Sequence, residues 1–265
     1  MNMHTPETPG EQPPGASSGV SHPSSPARKV IVRPITNKPY ATYTIMAITV
    51  AIYFLQIGTE YLFKIDFPAA LGIKINDLIM RGQYWRLITP VFLHGSMLHI
   101  AFNMYALYLF GPGLERYYGR FRFLALYFLS GFGGNVFSMM FSPAPSLGSS
   151  TAIFGLLGAQ GVFIHHNRKM LGNKASRALT SIISVAVINL LIGLSPHIDN
   201  WGHIGGLIGG VSFAWLAGPL LGLEGIPPEL RLSDQRSRED IRLALIVVPL
   251  FFIILAAGTI YIQHH

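Results

Sequence analysis

Residues 243–262 read LALIVVPLFFIILAAGTIYI, a stretch of 20 positions without a charged side chain. A helix of about this length spans the ~30 Å hydrocarbon core of a bilayer. The whole chain has this character: 50% of its 265 residues are hydrophobic, 12% are charged, and the mean hydropathy is +0.42. Because soluble domains carry roughly 25% charged residues, we expect a membrane protein whose apolar side chains face lipid.

Seven apolar runs, each bounded by charged residues, glycine or proline, divide the chain. They occupy residues 40–57, 97–110, 123–141, 152–164, 179–194, 204–223 and 243–262. The first, third, sixth and seventh runs are long enough to cross a bilayer, whereas the other three are shorter and have polar residues at one end. We predict a helix for each run because backbone in lipid must form its hydrogen bonds internally. The predicted fold is an all-α polytopic transmembrane helix bundle with a six-helix core and a seventh, C-terminal helix.

These runs also divide the chain into three parts. Residues 1–39 are rich in Pro, Ser, Gly and Thr and bury too little apolar area to offset their ordering entropy, so we predict a disordered cytoplasmic tail. Residues 40–223 form the predicted core. Within it, residues 58–93 are too long for a simple connector and contain Trp and Tyr, which indicates an interfacial loop. Residues 224–265 are predicted to be a cytoplasmic loop followed by the seventh helix.

The distribution of basic residues predicts the orientation. If the N-terminus is cytoplasmic, 15 of the 19 Lys and Arg residues fall on cytoplasmic segments, as the positive-inside rule requires. The other four are Lys64, Lys74, Arg81 and Arg86. Seven spans then place the C-terminus outside the cytoplasm. This distribution of basic residues explains the net charge of +7 without a nucleic-acid partner. Separately, the sequence contains no Cys, which excludes disulfides, thiolate nucleophiles and Cys-ligated zinc.

Three polar clusters lie at the starts of the second, fourth and sixth predicted helices. They are residues 94–103, 148–155 and 200–206. All three helices run inward, so Ser150, His99, Asn103 and His203 share one depth near the outer face. Polar side chains within membrane spans are costly and therefore indicate function.

Each candidate also has a purely structural interpretation. Ser150 or Thr151 at a helix start is typical of an N-cap, His203 of an interfacial side chain, and Asn103 of a polar link between helices. The glycines of the sixth helix form small-xxx-small patterns typical of close helix packing. They are Gly205, Gly206, Gly209 and Gly210. Packing of these glycines on the small face of the fourth helix itself brings His203 towards Ser150.

The clusters belong to four motifs of defined order and spacing. They are Tyr84-Trp85-Arg86, His94-x4-His99-x3-Asn103, Gly148-x-Ser150 followed by Ala152-Ile153-Phe154-Gly155, and Asn200-Trp201-Gly202-His203-Ile204-Gly205-Gly206. Over about residues 42–223, these motifs resemble the rhomboid intramembrane serine proteases, and the seventh helix resembles the 6+1 layout of part of that family.

This resemblance implies a Ser-His dyad that works through an acyl-enzyme, with Ser150 as nucleophile and His203 as general base and then acid. It implies that His99 and Asn103 donate to the oxyanion, together with the backbone N–H of Ser150. Phe154 is expected to pack on the imidazole of His203. The remaining residues expected to support the site are Gly148, His94, Trp85 and Arg86. No metal or cofactor is implied.

The nucleophile motif departs from the family pattern at two positions. The family usually has Gly after the nucleophile, where this chain has Thr151, and often Ala before it, where this chain has Ser149. Ser149 is therefore an alternative nucleophile. The spacing to Phe154-Gly155 favours Ser150.

The sequence thus predicts a serine endopeptidase of a prokaryotic plasma membrane that cuts a peptide bond in or next to the transmembrane helix of membrane-protein substrates. Its expected partners are those substrates and membrane lipid. One alternative is an inactive rhomboid-like protein that binds transmembrane clients, whose expected signature is loss of the Ser or the His. The other is a transporter, which predicts internal repeats and helices broken at mid-span, and neither is evident in the sequence.

Overall fold

The computed structural model describes residues 31–196 and 198–264. The helices within them are α1 (Tyr40–Phe63), α2 (Phe67–Gly72), α3 (Asn76–Met80), α4 (Met97–Tyr118), α5 (Arg120–Phe141), α6 (Ser150–His166), α7 (Arg168–Leu171), α8 (Lys174–Ile192), α9 (Asn200–Ala217) and α10 (Arg238–His264). The strands are β1 (Ile31–Arg33), β2 (Leu221–Ile226) and β3 (Glu229–Asp234).

The predicted polytopic helical bundle is confirmed. Each of the seven apolar runs lies largely on one long helix; these helices are α1, α4, α5, α6, α8, α9 and α10. Of the helices described, α1, α5, α8 and α10 are long and apolar enough to cross a membrane by length and composition alone. The other three carry the polar clusters. Among them, α6 is buried along most of its length, because α4, α5, α8 and α9 surround it.

The sixth predicted helix ends earlier than its apolar run. The run extends to residue 223, whereas α9 ends at Ala217. The reason is Pro219, which has no N–H to continue the helix and drives the preceding Gly218 into an extended conformation, with ψ of 143°. The chain then forms the hairpin β2–β3, so the first half of the predicted cytoplasmic loop belongs to a pair of strands.

Part of the predicted disordered tail is also ordered. Residues 31–33 form β1, which pairs in parallel with β3 in a sheet of order β1-β3-β2. An ion pair between Arg33 and Glu229, 3.0 Å apart, lies along this pairing. The rest of the tail prediction, for residues 1–30, lies outside the described residues.

The predicted interfacial loop starts later than expected because α1 continues to Phe63. We call residues 64–96 the interfacial segment. It folds into α2, α3 and two 3₁₀ turns, Tyr84–Leu87 and Thr89–Phe92. Asn135 of α5 fastens it to the bundle by donating from Nδ2 to the carbonyl of Leu87, at 3.0 Å.

Close backbone packing brings the starts of α6 and α9 together. A Cβ atom at Gly206 would lie 2.0 Å from the carbonyl oxygen of Thr151, and one at Gly210 would lie 2.0 Å from that of Gly155. No larger side chain fits at either position, so glycine permits the backbones to touch. This contact sets the distance between the first turns of the two helices.

Candidate active site

A serine and a histidine meet where α6 and α9 begin. The Oγ of Ser150, the first residue of α6, lies 3.0 Å from Nε2 of His203 in the first turn of α9. When the neutral imidazole carries its proton on Nδ1, the hydroxyl donates to Nε2. Within the described residues, Nδ1 of His203 has no hydrogen-bond partner, and Asp199 instead caps α9 by accepting from the N–H of Gly202 at 3.0 Å. The geometry is therefore that of a two-residue pair.

Phe154 supports the imidazole from one side. Its ring stacks on that of His203, with centroids 4.3 Å apart and planes inclined by 14°. Phe154 lies one turn after Ser150 on the same helix, so a single element carries both the hydroxyl and the aromatic surface beside the imidazole. Both rings are buried, and this contact restricts rotation of the imidazole.

His99 lies against the loop that leads into α6. We call residues 142–149 the connector. Gly148 in the connector has φ of +128°, a region that residues with a Cβ rarely adopt, and its N–H donates to the carbonyl of Pro90 at 2.9 Å. A Cβ at Gly148 would lie 2.8 Å from the His99 ring. The imidazole of His99 therefore packs on the backbone two residues before Ser150.

Asn103 is buried one turn further along α4. Its Nδ2 donates to the carbonyl of His99 at 3.0 Å. The expected i, i+4 pair is therefore joined by a bond within α4.

The second serine of the motif faces a different histidine. Ser149 Oγ lies 3.3 Å from Nε2 of His94, and both residues are buried. Burial, together with the neighbouring His99 ring, lowers the pKa of His94 to about 3, so this imidazole is neutral at physiological pH. Two Ser-His contacts thus lie side by side, and Ser150 is the serine that contacts His203.

The structure does not bring Trp85 and Arg86 to the Ser-His pair. Trp85 is half-exposed and donates from Nε1 to the carbonyl of Leu71 at 3.0 Å. Arg86 is buried and donates to the carbonyls of Ile73 and Ala70, both at 2.7 Å. These contacts hold the interfacial segment together.

Sequence reasoning missed Lys74, which it counted only as one of four basic residues outside the cytoplasm. Its side chain is fully buried, and Nζ donates to the carbonyls of Ser142 and Ala144 in the connector, both at 2.9 Å. No local pattern marks this residue, because its partners lie 68 and 70 positions further along the chain.

Comparison with known proteins gives consistent matches. A family model described as the Rhomboid domain matches residues 81–220. The chain is 44% identical over 174 residues to Rhomboid protease GluP of Bacillus subtilis (strain 168), covering 65% of this chain and 34% of that protein. It is 36% identical over 160 residues to RHOMBOID-like protein 9, chloroplastic, of Arabidopsis thaliana, covering 60% and 37%. It is also 36% identical over 138 residues to Inactive RHOMBOID-like protein 8 of Arabidopsis thaliana, covering 52% and 39%. The chain thus spans little more than a third of the length of these relatives.

Proposed function

Since the chain belongs to the rhomboid family, we propose that it is an intramembrane serine endopeptidase that cleaves a peptide bond in or next to a transmembrane helix. One observation carries this proposal: Ser150 Oγ lies 3.0 Å from His203 Nε2. A serine hydroxyl is a weak nucleophile until a base accepts its proton, and this distance is within the reach of such a base.

The reaction runs in two halves through Ser150. In the first half, Oγ attacks the substrate carbonyl while His203 Nε2 takes the hydroxyl proton, and a tetrahedral intermediate forms. The intermediate collapses as His203 returns the proton to the leaving amine, which leaves an acyl-enzyme. In the second half, water gives a proton to His203 and attacks the ester carbon, forming a second tetrahedral intermediate. His203 returns that proton to Ser150 Oγ as the ester C–O bond breaks, which regenerates the hydroxyl and releases the carboxylic acid.

The stacked Phe154 ring takes over the orienting role that a carboxylate has in a triad. His203 Nδ1 has no acceptor in the described part of the chain, so no hydrogen bond holds the side of the imidazole away from Ser150. The face contact with Phe154 holds the plane of the imidazole beside Ser150, because aromatic pairs hold defined relative geometries.

Three groups are suited to stabilise the oxyanion. The first N–H groups of a helix have no intrahelical acceptor, and the helix dipole favours negative charge there, so the backbone N–H of Ser150 is one donor. The His99 ring, packed on Gly148, and the Asn103 amide are the other two. Donors aimed at a developing oxyanion each contribute about 10² to 10³ in rate.

Asn103→Ala is expected to lower kcat and kcat/KM together by at least tenfold, with KM nearly unchanged, because the donor acts only when the oxyanion forms. The unfolding midpoint should barely move, since the bond that is lost lies within α4 and even an interhelical hydrogen bond contributes only about 0.6 kcal/mol in a membrane. Initial rates on a substrate with one transmembrane helix, together with thermal unfolding in the same detergent, measure both quantities.

Asn189→Ala is the matched control for this variant. Asn189 is exposed on α8 and makes the same i, i−4 bond, from Nδ2 to the carbonyl of Val185 at 2.8 Å. The control should keep wild-type turnover. A large drop in midpoint for Asn103→Ala, with normal turnover of the folded protein, would make Asn103 a packing residue.

The rival interpretation is an inactive family member that binds transmembrane clients, as the name of one relative illustrates. Treating the purified protein with a fluorophosphonate, mapping the modified residue and assaying substrate cleavage separates the two. Labelling at Ser150 together with cleavage supports the protease. Folded protein that binds the substrate but neither labels nor cleaves it would establish the rival.

The protein is an integral, multi-pass membrane protein, and we infer that it resides in a prokaryotic plasma membrane with its N-terminus in the cytoplasm. The turns on the inferred cytoplasmic side carry basic residues, such as Arg168 and Lys169 of α7, as the positive-inside rule requires. A reporter enzyme fused after His265 is therefore expected to be active only outside the cytoplasm. Reporter activity inside the cytoplasm would contradict the count of seven spans.

A further inference from the structure

Lys74 is a charged residue in a place where charge is costly. Its side chain has 0% exposure, although it belongs to the interfacial segment and not to a membrane-spanning helix. Lysine is almost never fully buried unless its ammonium is paired. The groups that this ammonium contacts therefore indicate what it does.

These groups belong to the connector that leads into α6. Nζ of Lys74 donates to the carbonyls of Ser142 and Ala144, both at 2.9 Å. The backbones of Lys74 and Ser146 also exchange both of their hydrogen bonds, at 3.0 and 3.1 Å. Asn76 adds bonds from Nδ2 to the carbonyls of Met139 and Ser142, each 3.1 Å long. The connector is thus held to the interfacial segment from the end of α5 to a point four residues before Ser150.

The same ammonium is also within electrostatic range of Asp199 at the start of α9. The carboxylate of Asp199, the N-cap of that helix, interacts favourably with Lys74. Oδ1 of Asp199 accepts from the N–H of Gly202, while the buried Oδ2 has no hydrogen-bond partner within the described residues. This carboxylate lies four positions before His203, and the Lys74 charge acts on it through space.

We propose that the Lys74 ammonium is a positioning group for the Ser150–His203 pair: it holds the connector in front of α6 and balances the Asp199 carboxylate in front of α9. This role rests on the proposed protease function. Lys74 does not touch the reacting atoms. It acts through the two backbone segments that set where the hydroxyl and the imidazole lie.

Lys74→Met is expected to lower kcat by about ten- to hundredfold, because a displacement of catalytic groups of about 1 Å costs that much. KM should stay within about twofold of wild type, since the substrate does not contact Lys74. The rate of fluorophosphonate labelling at Ser150 should fall in parallel, with all rates normalised to the folded fraction. The matched control is Lys64→Met, because Lys64 is an exposed lysine of the same segment, and it should behave as wild type.

Lys74→Gln keeps the proposal testable if the Met variant folds poorly. The Gln amide retains two N–H donors for the connector carbonyls but carries no charge. Its expected turnover lies between those of wild type and Lys74→Met.

The dependence of turnover on pH distinguishes positioning by the Lys74 charge from a purely structural role, which would leave this dependence unchanged in Lys74→Gln. Burial lowers the pKa of Lys74 to about 8, opposed by the charge of Asp199. Around Lys74, residues 139–149 of the end of α5 and the connector contain no titratable side chain. Within the interfacial segment, Arg86 donates to the carbonyl of Ile73, the residue before Lys74. Wild-type turnover should therefore fall as pH rises through about 8, and this fall should be absent from Lys74→Gln.

Stability should change in the opposite direction over this range. The unfolded chain holds the lysine proton up to pH ~10.4, so the unfolded state binds more protons between pH 8 and that value. The contribution of this group to folding stability then rises with pH. A fall in turnover above pH ~8 without a fall in folding stability would therefore identify a positioning role for the Lys74 ammonium.

The outcomes separate this proposal from the proposed function. If the wild type neither labels nor cleaves, the protease function fails. If the wild type is active and both Lys74 variants match it in kcat and in pH profile at equal folded fraction, the positioning role is overturned. A selective fall in kcat for Lys74→Met but not for Lys64→Met supports it.

Discussion

Replacing Ser150 with alanine is expected to lower the cleavage rate of a transmembrane substrate by about 10⁴-fold or more, because the acyl-enzyme cannot form without Oγ. Covalent labelling by a fluorophosphonate should vanish at the same time. The protein should insert and unfold as the wild type does, since the change removes one hydroxyl whose partner is His203. Initial rates in liposomes and the mass of the intact labelled protein measure the two losses.

The matched control is Ser149→Ala at the adjacent position. The Ser149 hydroxyl lies 3.3 Å from His94 and is not bonded to His203, so this variant should keep measurable cleavage and labelling. Labelling that survives in Ser150→Ala and disappears in Ser149→Ala would assign the nucleophile to Ser149.

His203→Ala is expected to reduce turnover to the same residual level as Ser150→Ala, because the hydroxyl is a poor nucleophile without a base. The combined variant should be no slower than either single one, since residues that act as one unit lose their joint contribution only once. Rates of the two single variants and the double variant, measured at matched folded fraction, test both statements.

His165→Ala controls for the loss of an imidazole as such. This residue lies exposed at the opposite end of α6 from Ser150, so its removal should leave the rate unchanged. Turnover above a few per cent of wild type in His203→Ala would mean that another group serves as the base.

The local pattern of apolar runs was sufficient to predict the class of fold. Bilayer thickness sets the length of a spanning helix, and backbone in lipid must form its hydrogen bonds within its own segment. A membrane-spanning helix can therefore be predicted from a run such as 243–262 without knowledge of the rest of the chain. The helix starts that present Ser150 and His203 are also visible in the sequence, because each residue lies in a polar cluster where an apolar run begins.

One wrong expectation concerns a segment whose structure depends on a distant partner. Residues 31–33 look like tail by composition, yet they form a strand because β3, which is 198 positions away, offers an edge with matching register. The hairpin after α9 also depends on strand pairing, here between the neighbouring strands β2 and β3. Composition records the propensity of a segment but not the presence of a strand beside it.

The site shows the same division. Sequence pattern was enough to predict a membrane helix bundle with a Ser, two His and an Asn at the starts of its polar helices, and spacing favoured Ser150 as the nucleophile. The contacts of Ser150 with His203 and of Ser149 with His94, and the burial of Lys74 beneath the connector, required the tertiary structure. The physical reason is that helix formation is dictated by neighbours along the chain. Distances of about 3 Å between side chains are instead set by close packing of segments tens of residues apart.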